Sequence, residues 1–250
     1  MNLSEARVLI TGGGAGLGLS MVRGFLADGA QVGVLEKDAE GIRRLKHDFT
    51  GKVKVWNCDV TDIQRVEEAL SQVSEDGFGP NVLINNAGII HSEPLVKIQE
   101  KAGRKHSTEN WKAVIACNLD SVFYVTSSVV DRMLYQRSRG VVISISSISA
   151  AGNPGQSAYS ASKAAVNALT KTWAKELGGL GIRFAAVAPG FCDTQSSALA
   201  LGEVSLSKIK NRIPLRKLGS TGEIYLAVRS IVENEYINGA ILNVDGGLTI

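Results

Sequence analysis

The sequence holds only three cysteines, Cys58, Cys117 and Cys192, in 250 residues. They are odd in number, far apart and form no CxxC pair, which argues against a disulfide framework or a cysteine zinc site. Histidine is equally scarce. His47, His91 and His106 show no metal-ligand spacing and read as ordinary surface or loop residues, so no metal is expected. The net charge is only +3, too weak an electrostatic footprint for nucleic acid. Arg132, Arg137 and Arg139 read as a solvated helix end, with docking of an acidic carrier or phosphate-bearing substrate as the other reading. No apolar run reads as long enough to span a bilayer, and the start, MNLSEARVLITGG, lacks the flanks of a secretory signal. These absences point to a reduced, cytoplasmic protein without nucleic-acid or membrane partners.

What is present is an alternation. Apolar, β-branched runs occur at 7–12, 31–36, 53–60, 82–88, 140–147, 182–190 and 240–247. They are mostly continuous rather than alternating, as expected of strands covered on both faces. Helical patterns lie between them, at 18–29, 63–73, about 108–136, about 158–177 and 223–233. The last follows Ser220 and Glu223, which match a capping box. The pattern predicts one α/β domain over residues 1–250, a doubly wound parallel sheet of about seven strands with helices on both faces. Ligands of such sheets lie outside the carboxyl ends of the strands. Two segments break the alternation, 91–110 and 194–219. Both are expected to shape a substrate mouth, although 91–110 also reads as a subunit contact and, in preference, as an exposed loop.

The stretch TGGGAGLG (11–18) follows the first strand and opens the first helix. Glycine lets the backbone approach a phosphate closely, and a helix N-terminus offers it free N–H groups. Glu36 ends the second strand, where a carboxylate can accept bonds from ribose hydroxyls and would repel a 2′-phosphate, favouring NAD over NADP. Lys37 beside it weakens that preference. Asp59 ends the third strand and suits either an adenine edge or a helix cap. Tyr159 and Lys163, four residues apart on one helix face, form a candidate acid/base pair. The ammonium of Lys163 would favour the phenolate of a group that otherwise titrates near pH 10. Ser147, at the end of the fifth strand, can hold a substrate oxygen. Asn118 lies mid-helix, where an amide has little reason to be; a local kink and a water leading to Lys163 would explain it.

The glycine spacing is TGxxxGxG, with Thr11, Gly12, Gly16 and Gly18. With NNAG (85–88), the Tyr159/Lys163 pair, APG (188–190) and NVDGG (243–247), the chain resembles the short-chain dehydrogenase/reductase family along nearly its whole length. In proportions it is similar to the 3-oxoacyl-carrier-protein reductase and the sugar or polyol dehydrogenase branches. The resemblance implies that Gly12, Gly16, Leu17 and Gly18 form the pyrophosphate turn. It places Asp59 and Val60 beside the adenine, and Asn86, Ala87 and Gly88 beside the adenosine ribose. It assigns Asn118, Ser147, Tyr159 and Lys163 to the active site, and Pro189, Gly190 and Thr194 to the nicotinamide. It also implies a homotetramer, with Val114, Val122, Val125, Val129 and Leu169 either at the interface or covering the sheet. After Thr194, Leu199, Leu201, Val204 and Leu206 suggest an apolar wall over the substrate. The expected activity interconverts a small-molecule alcohol and its ketone. A non-catalytic dinucleotide-binding regulator on the same fold is the alternative.

Overall fold

The computed structural model describes residues 1–100, 102–194 and 208–250. Lys101 and the four apolar residues expected to wall the substrate, Leu199, Leu201, Val204 and Leu206, lie outside the described residues. The strands are β1 (Arg7–Thr11), β2 (Gln31–Glu36), β3 (Val53–Asn57), β4 (Val82–Asn85), β5 (Gly140–Ile145), β6 (Ile182–Pro189) and β7 (Ala240–Val244). They form one sheet in the order β3-β2-β1-β4-β5-β6-β7, and every pairing is parallel. Parallel neighbours need crossovers, and the helices that supply them cover both faces. One apolar layer centres on α1 (Gly16–Ala27) and α7 (Thr221–Glu233), where Phe25 stacks edge-on to Tyr225 at 5.1 Å. The other centres on α3 (Ile63–Glu75), α5 (Ser121–Tyr135) and α6 (Ser157–Leu177). The chain winds outward from β1 to β3, then returns to place β4 on the other side of β1. The carboxyl ends of β1 and β4 therefore diverge into a crevice.

The expected strands are present, but three of them end three residues earlier than their apolar patterns. β3 stops at Asn57, β4 at Asn85, and β7 at Val244. The residues beyond, including Asp59, Asn86 and Gly88, leave the sheet to line the crevice. One helix escaped the pattern: α2 (Ala39–Asp48) is polar, and Asp38 caps it by accepting the Gly41 N–H at 2.8 Å. The capping box at Ser220 and Glu223 is formed.

The long helix predicted from about Thr108 is two helices, α4 (Thr108–Ile115) and α5, joined by a π turn over Ala116–Asp120. Together they make 28 residues that are long and apolar enough to cross a bilayer by length and composition, contrary to the sequence reading. More than half of that apolar window is buried in the fold. Val125, Val129, Val130 and Met133 pack on the sheet, because the period of α5 turns one stripe inward. This also decides between the two roles of the interface candidates. Val114, Val122, Val125 and Val129 are buried within the chain, and only Leu169 is partly exposed.

Candidate active site

The glycine loop turns immediately after β1. Gly12 and Gly16 adopt φ of +67° and +52°, a region that costs an L residue about 1 kcal/mol or more. Gly18 is needed for a different reason: an added Cβ would stand 2.1 Å from the Gly12 carbonyl oxygen. Asn86 holds the turn from β4, its Nδ2 donating to the Thr11 and Gly12 carbonyls at 3.0 and 2.8 Å. Ala15 precedes α1 with no side-chain cap, so the first-turn N–H groups point toward the crevice. A cradle of this kind, closed to a Cβ and rich in N–H donors, fits a dinucleotide pyrophosphate.

Glu36 is buried at the end of β2 and does more than face a ribose. Its Oε2 accepts the Gly14 N–H at 2.8 Å, and its Oε1 accepts those of Lys37 and Asp38 at 2.9 and 3.0 Å. One carboxylate thus fixes the glycine loop and the start of the α2 connection. Lys37 is engaged by Asp59 at 3.2 Å. Asp59 caps a turn, not a helix, by accepting from Thr61 N and Oγ1, while Asp62 caps α3. These bonds hold Asp59 below the usual carboxylate range against the opposing effect of partial burial. Arg44, which no motif marked, clamps the Gly14 carbonyl at 2.9 Å.

A cleft of about 800 Å³ runs from this loop across the carboxyl edge of the sheet. Gly12, Gly16, Leu17, Glu36, Asp59, Val60, Asn86, Ala87 and Gly88 line one end; Ser147, Tyr159, Lys163, Pro189, Gly190 and Thr194 line the other. Gly18 and Asn118 do not line it. Gly18 sits under the loop. Asn118 is fully buried in the π turn, the kink expected of it, with Oδ1 accepting the Ile89 N–H at 2.8 Å and Nδ2 donating to the Ile89 carbonyl at 2.9 Å. It pins the strand exit that carries Gly88 and so positions the cleft wall from behind. Residues the motifs did not mark also line the cleft, notably Ser92, Ser149 and Gln156. Gln156 joins them: its Oε1 accepts from Ser149 Oγ at 2.9 Å and its Nε2 donates to Ser92 Oγ at 3.2 Å.

Ser147 lies two residues past β5 and caps a 3-10 turn over Ile148–Ala151, accepting the Ser149 N–H at 3.1 Å. Ser146 turns away and bonds the Lys163 carbonyl, so the chain direction distinguishes the two serines. The Lys163 ammonium lies 5.8 Å from the Tyr159 ring centroid and donates to the Ile145 carbonyl at 2.7 Å. The pair does not by itself lower the phenol. Burial pushes Tyr159 above its ordinary value, and a hydrogen bond with Ser147 only partly opposes this. Lys163 is itself pushed down from 10.5 to about 8 by burial. The sequence expectation that Lys163 favours the phenolate is thus outweighed by desolvation, which acts on both groups against their charged forms. Burial also raises Cys58 to about 12 and Cys192 to about 11, leaving both as inert thiols in the cleft wall.

The buried ammonium has a stability consequence. Below about pH 8 both folded and unfolded chains carry the proton, and the folded one bears a desolvation cost of about 3 kcal/mol. Between about 8 and 10.5 only the unfolded chain keeps it, and the cost disappears. Lys163→Met is therefore expected to be more stable than the native chain at pH 7 by about 2 kcal/mol, after about 1 kcal/mol for the orphaned Ile145 carbonyl. That gain should vanish by pH 10, as read from urea unfolding of both proteins across pH. A variant less stable at pH 7 would show that Lys163 is not desolvated.

The third site feature is unexpected. His47 is exposed as the sequence suggests, but His91 and His106 converge on Glu93, which is buried in the 91–110 connection. Hydrogen bonds from Asn110 and His91 hold the Glu93 carboxyl down to about 2. Fifteen residues separate the histidines, so no local motif announces the cluster.

The family model described as short chain dehydrogenase matches residues 6–201. The 3-oxoacyl-acyl-carrier-protein reductase of Thermotoga maritima is 36% identical, with all of both chains covered. The sorbitol-6-phosphate 2-dehydrogenase of Klebsiella pneumoniae is 31% identical over 100% of this chain and 98% of that protein. Among solved structures, the 3-ketoacyl-acyl-carrier-protein reductase from Brucella melitensis complexed with NADH superposes with a TM-score of 0.87 at 25% identity, covering 99% of this chain and 100% of that one. The sheet order, the glycine cradle and these matches agree, and the chain belongs to the short-chain dehydrogenase/reductase family of oxidoreductases.

Proposed function

We propose that this protein is an NAD-dependent oxidoreductase that interconverts a secondary alcohol and a ketone, with Tyr159 as general acid/base. The observation that carries this reading is the convergence of Ser147, Tyr159 and Lys163 on the same cleft as the glycine cradle and Glu36. The nicotinamide, when bound, would supply or accept the hydride and, when oxidised, would add positive charge near the phenol. Tyr159, protonated at neutral pH, gives its proton to the ketone oxygen during reduction. Ser147 would hold that oxygen through its hydroxyl, and Lys163 would bond the nicotinamide ribose when the cofactor is bound. In alcohol oxidation the same phenol must first lose its proton, which its raised pKa resists, so oxidation is expected to speed up with pH more steeply than reduction.

Glu36 supports NAD over NADP, because three backbone donors hold its carboxylate in place at that end of the cleft, where it would repel a 2′-phosphate. Glu36→Ala should lower the ratio of kcat/KM for NADH over NADPH by about tenfold or more, while weakening both through the loosened Gly14. A native enzyme that turns over only with NADPH would overturn the cofactor assignment. The substrate class is tested with a panel of 3-oxoacyl thioesters, ketoses, ketones and alcohols. The relatives' names favour the first two. Both names are those of a reductase or a dehydrogenase, so the regulator reading is not favoured.

The proposed protein is a cytoplasmic homotetramer. Its three thiols are unpaired. With the buried valines of α4 and α5 committed to the core, a subunit contact would use the exposed Phe123 and Tyr135. Light scattering at micromolar concentration tests the assembly.

A further inference from the structure

The 91–110 connection has almost no apolar interior of its own. Leu95 and Ile98 are 72% and 82% exposed. A few backbone bonds shape it: Lys97 N to the Arg104 carbonyl at 2.7 Å and His106 N to the Leu95 carbonyl at 3.0 Å make a small hairpin. A segment this short and this polar needs a staple to hold one conformation. The only buried group gathering it among the described residues is the Glu93 carboxylate, met by side chains from both ends of the hairpin.

We propose that His91, Glu93 and His106 form a binding site for a divalent transition-metal ion, with zinc the best match to the ligand set, that staples this connection onto the rim of the substrate cleft. Glu93 Oε2 lies 3.1 Å from His91 Nε2 and 3.5 Å from His106 Nδ1, and the ligand atoms of all three residues fall within 4.8 Å of one another. Tetrahedral zinc with bonds of about 2.0–2.1 Å spaces its ligand atoms about 3.3–3.4 Å apart. A carboxylate closed directly on an imidazolium proton approaches to about 2.7–2.9 Å. The two carboxylate–imidazole separations, 3.1 and 3.5 Å, bracket that ligand spacing, and all three ligand atoms are within reach of one ion. Two imidazoles with one carboxylate suit zinc or cobalt better than magnesium or calcium, which take oxygen.

The supporting contacts are also in place. Lys97 Nζ sits on the other carboxylate oxygen, Oε1, at 3.3 Å, and Asn110 Nδ2 donates to Oε2 at 3.1 Å, which fixes the orientation of the carboxylate. The Ser107 carbonyl lies 2.9 Å from His106 Nδ1. It is near enough to serve as a fourth, oxygen ligand to a bound ion. The site is tied to the cleft by backbone and side chain. Glu93 N donates to the Gly155 carbonyl at 2.6 Å, and Ser92, between two of the ligands, bonds Gln156 in the cleft wall. Metal binding would then order the substrate mouth without touching the dinucleotide end.

The test uses the full chain stripped with a chelator and titrated with cobalt chloride. One equivalent per chain is expected, with the visible absorption band of a four-coordinate cobalt site, and zinc should displace it. Glu93→Gln and His106→Ala should each weaken cobalt binding by roughly tenfold or more, whereas His47→Ala should leave it unchanged. Melting temperature and NADH binding of the chelator-treated variants confirm that each remains folded. Absence of the band, or equal cobalt affinity in the native, Glu93→Gln and His106→Ala proteins, overturns the proposal. Because the readout is metal binding, failure here leaves the oxidoreductase reading intact, and failure of that reading leaves this one intact.

Discussion

Tyr159→Phe is expected to lower kcat by about 10³-fold, within the 10²–10⁴-fold that a positioned proton donor contributes. The ring and its packing remain, so NADH affinity and melting temperature should change little. Among the described residues of the cleft, the phenol combines a transferable proton with a hydroxyl partner at the same edge, Ser147. Cys117 and Cys192 line the cleft too, but burial pushes both thiols up, which removes them as rivals. Stopped-flow measurement of NADH oxidation with the best substrate of the panel reads the effect directly. A variant within tenfold of the native rate would remove Tyr159 from the chemistry and move attention to Ser147. The pH profile gives an independent check. Since burial holds Tyr159 in its protonated form, reduction should be efficient at neutral pH and oxidation should climb toward alkaline pH. A flat oxidation profile between pH 7 and pH 10 would mean that nicotinamide charge brings the phenol down far more than burial raises it.

Gly18→Ala carries the second large effect, on the dinucleotide end. The new methyl would stand 2.1 Å from the Gly12 carbonyl oxygen and 2.6 Å from Asn86 Nδ2, inside the hydrogen bond those two atoms make. Both neighbours are fixed: Gly12 by its turn, Asn86 by a second bond to Thr11. Something must shift, and overpacking of this kind costs about 1–3 kcal/mol or more. The loop that moves is the pyrophosphate cradle, so NADH affinity is expected to fall by about ten- to a hundredfold. Gly16→Ala is the informative comparison. Its φ of +52° strains an alanine, but nothing lies within 4 Å of the added methyl, so only the backbone cost of about 1–2 kcal/mol applies. Fluorescence titration of NADH and thermal unfolding of both variants check the order. If Gly18→Ala bound NADH as the native chain does, the close approach at the cradle would not matter to binding.

Much of this was legible in the sequence because the relevant physics is local. Continuous apolar runs alternating with helical periods fix a parallel α/β sheet, since each strand must be covered twice and each crossover must be a helix. The seven strands and the capping box at Ser220 follow from side-chain pattern alone. Residues near strand ends are also readable, which is how Glu36 and Asp59 were singled out, whereas the choice of Ser147 over Ser146 rested on the family resemblance. The helix α2 was not, because its helical contacts are polar and its N-terminus is set by the Asp38 cap rather than an apolar stripe.

What the tertiary structure alone decided is a matter of environment and of long-range proximity. The spacing of Tyr159 and Lys163 suggested that lysine would favour the phenolate, but a spacing carries no dielectric. Burial disfavours both charges, and only the fold supplies that burial. Asn118 was recognised as out of place in a helix, yet its role behind the cleft follows from Ile89, 29 residues away. The apolar stripe of α5 reads the same whether it meets a bilayer, a second subunit or its own sheet, and packing chose the sheet. His91 and His106 are unremarkable along the chain. The hairpin between them brings both to Glu93, and chain closure over fifteen residues is the step that no linear pattern records.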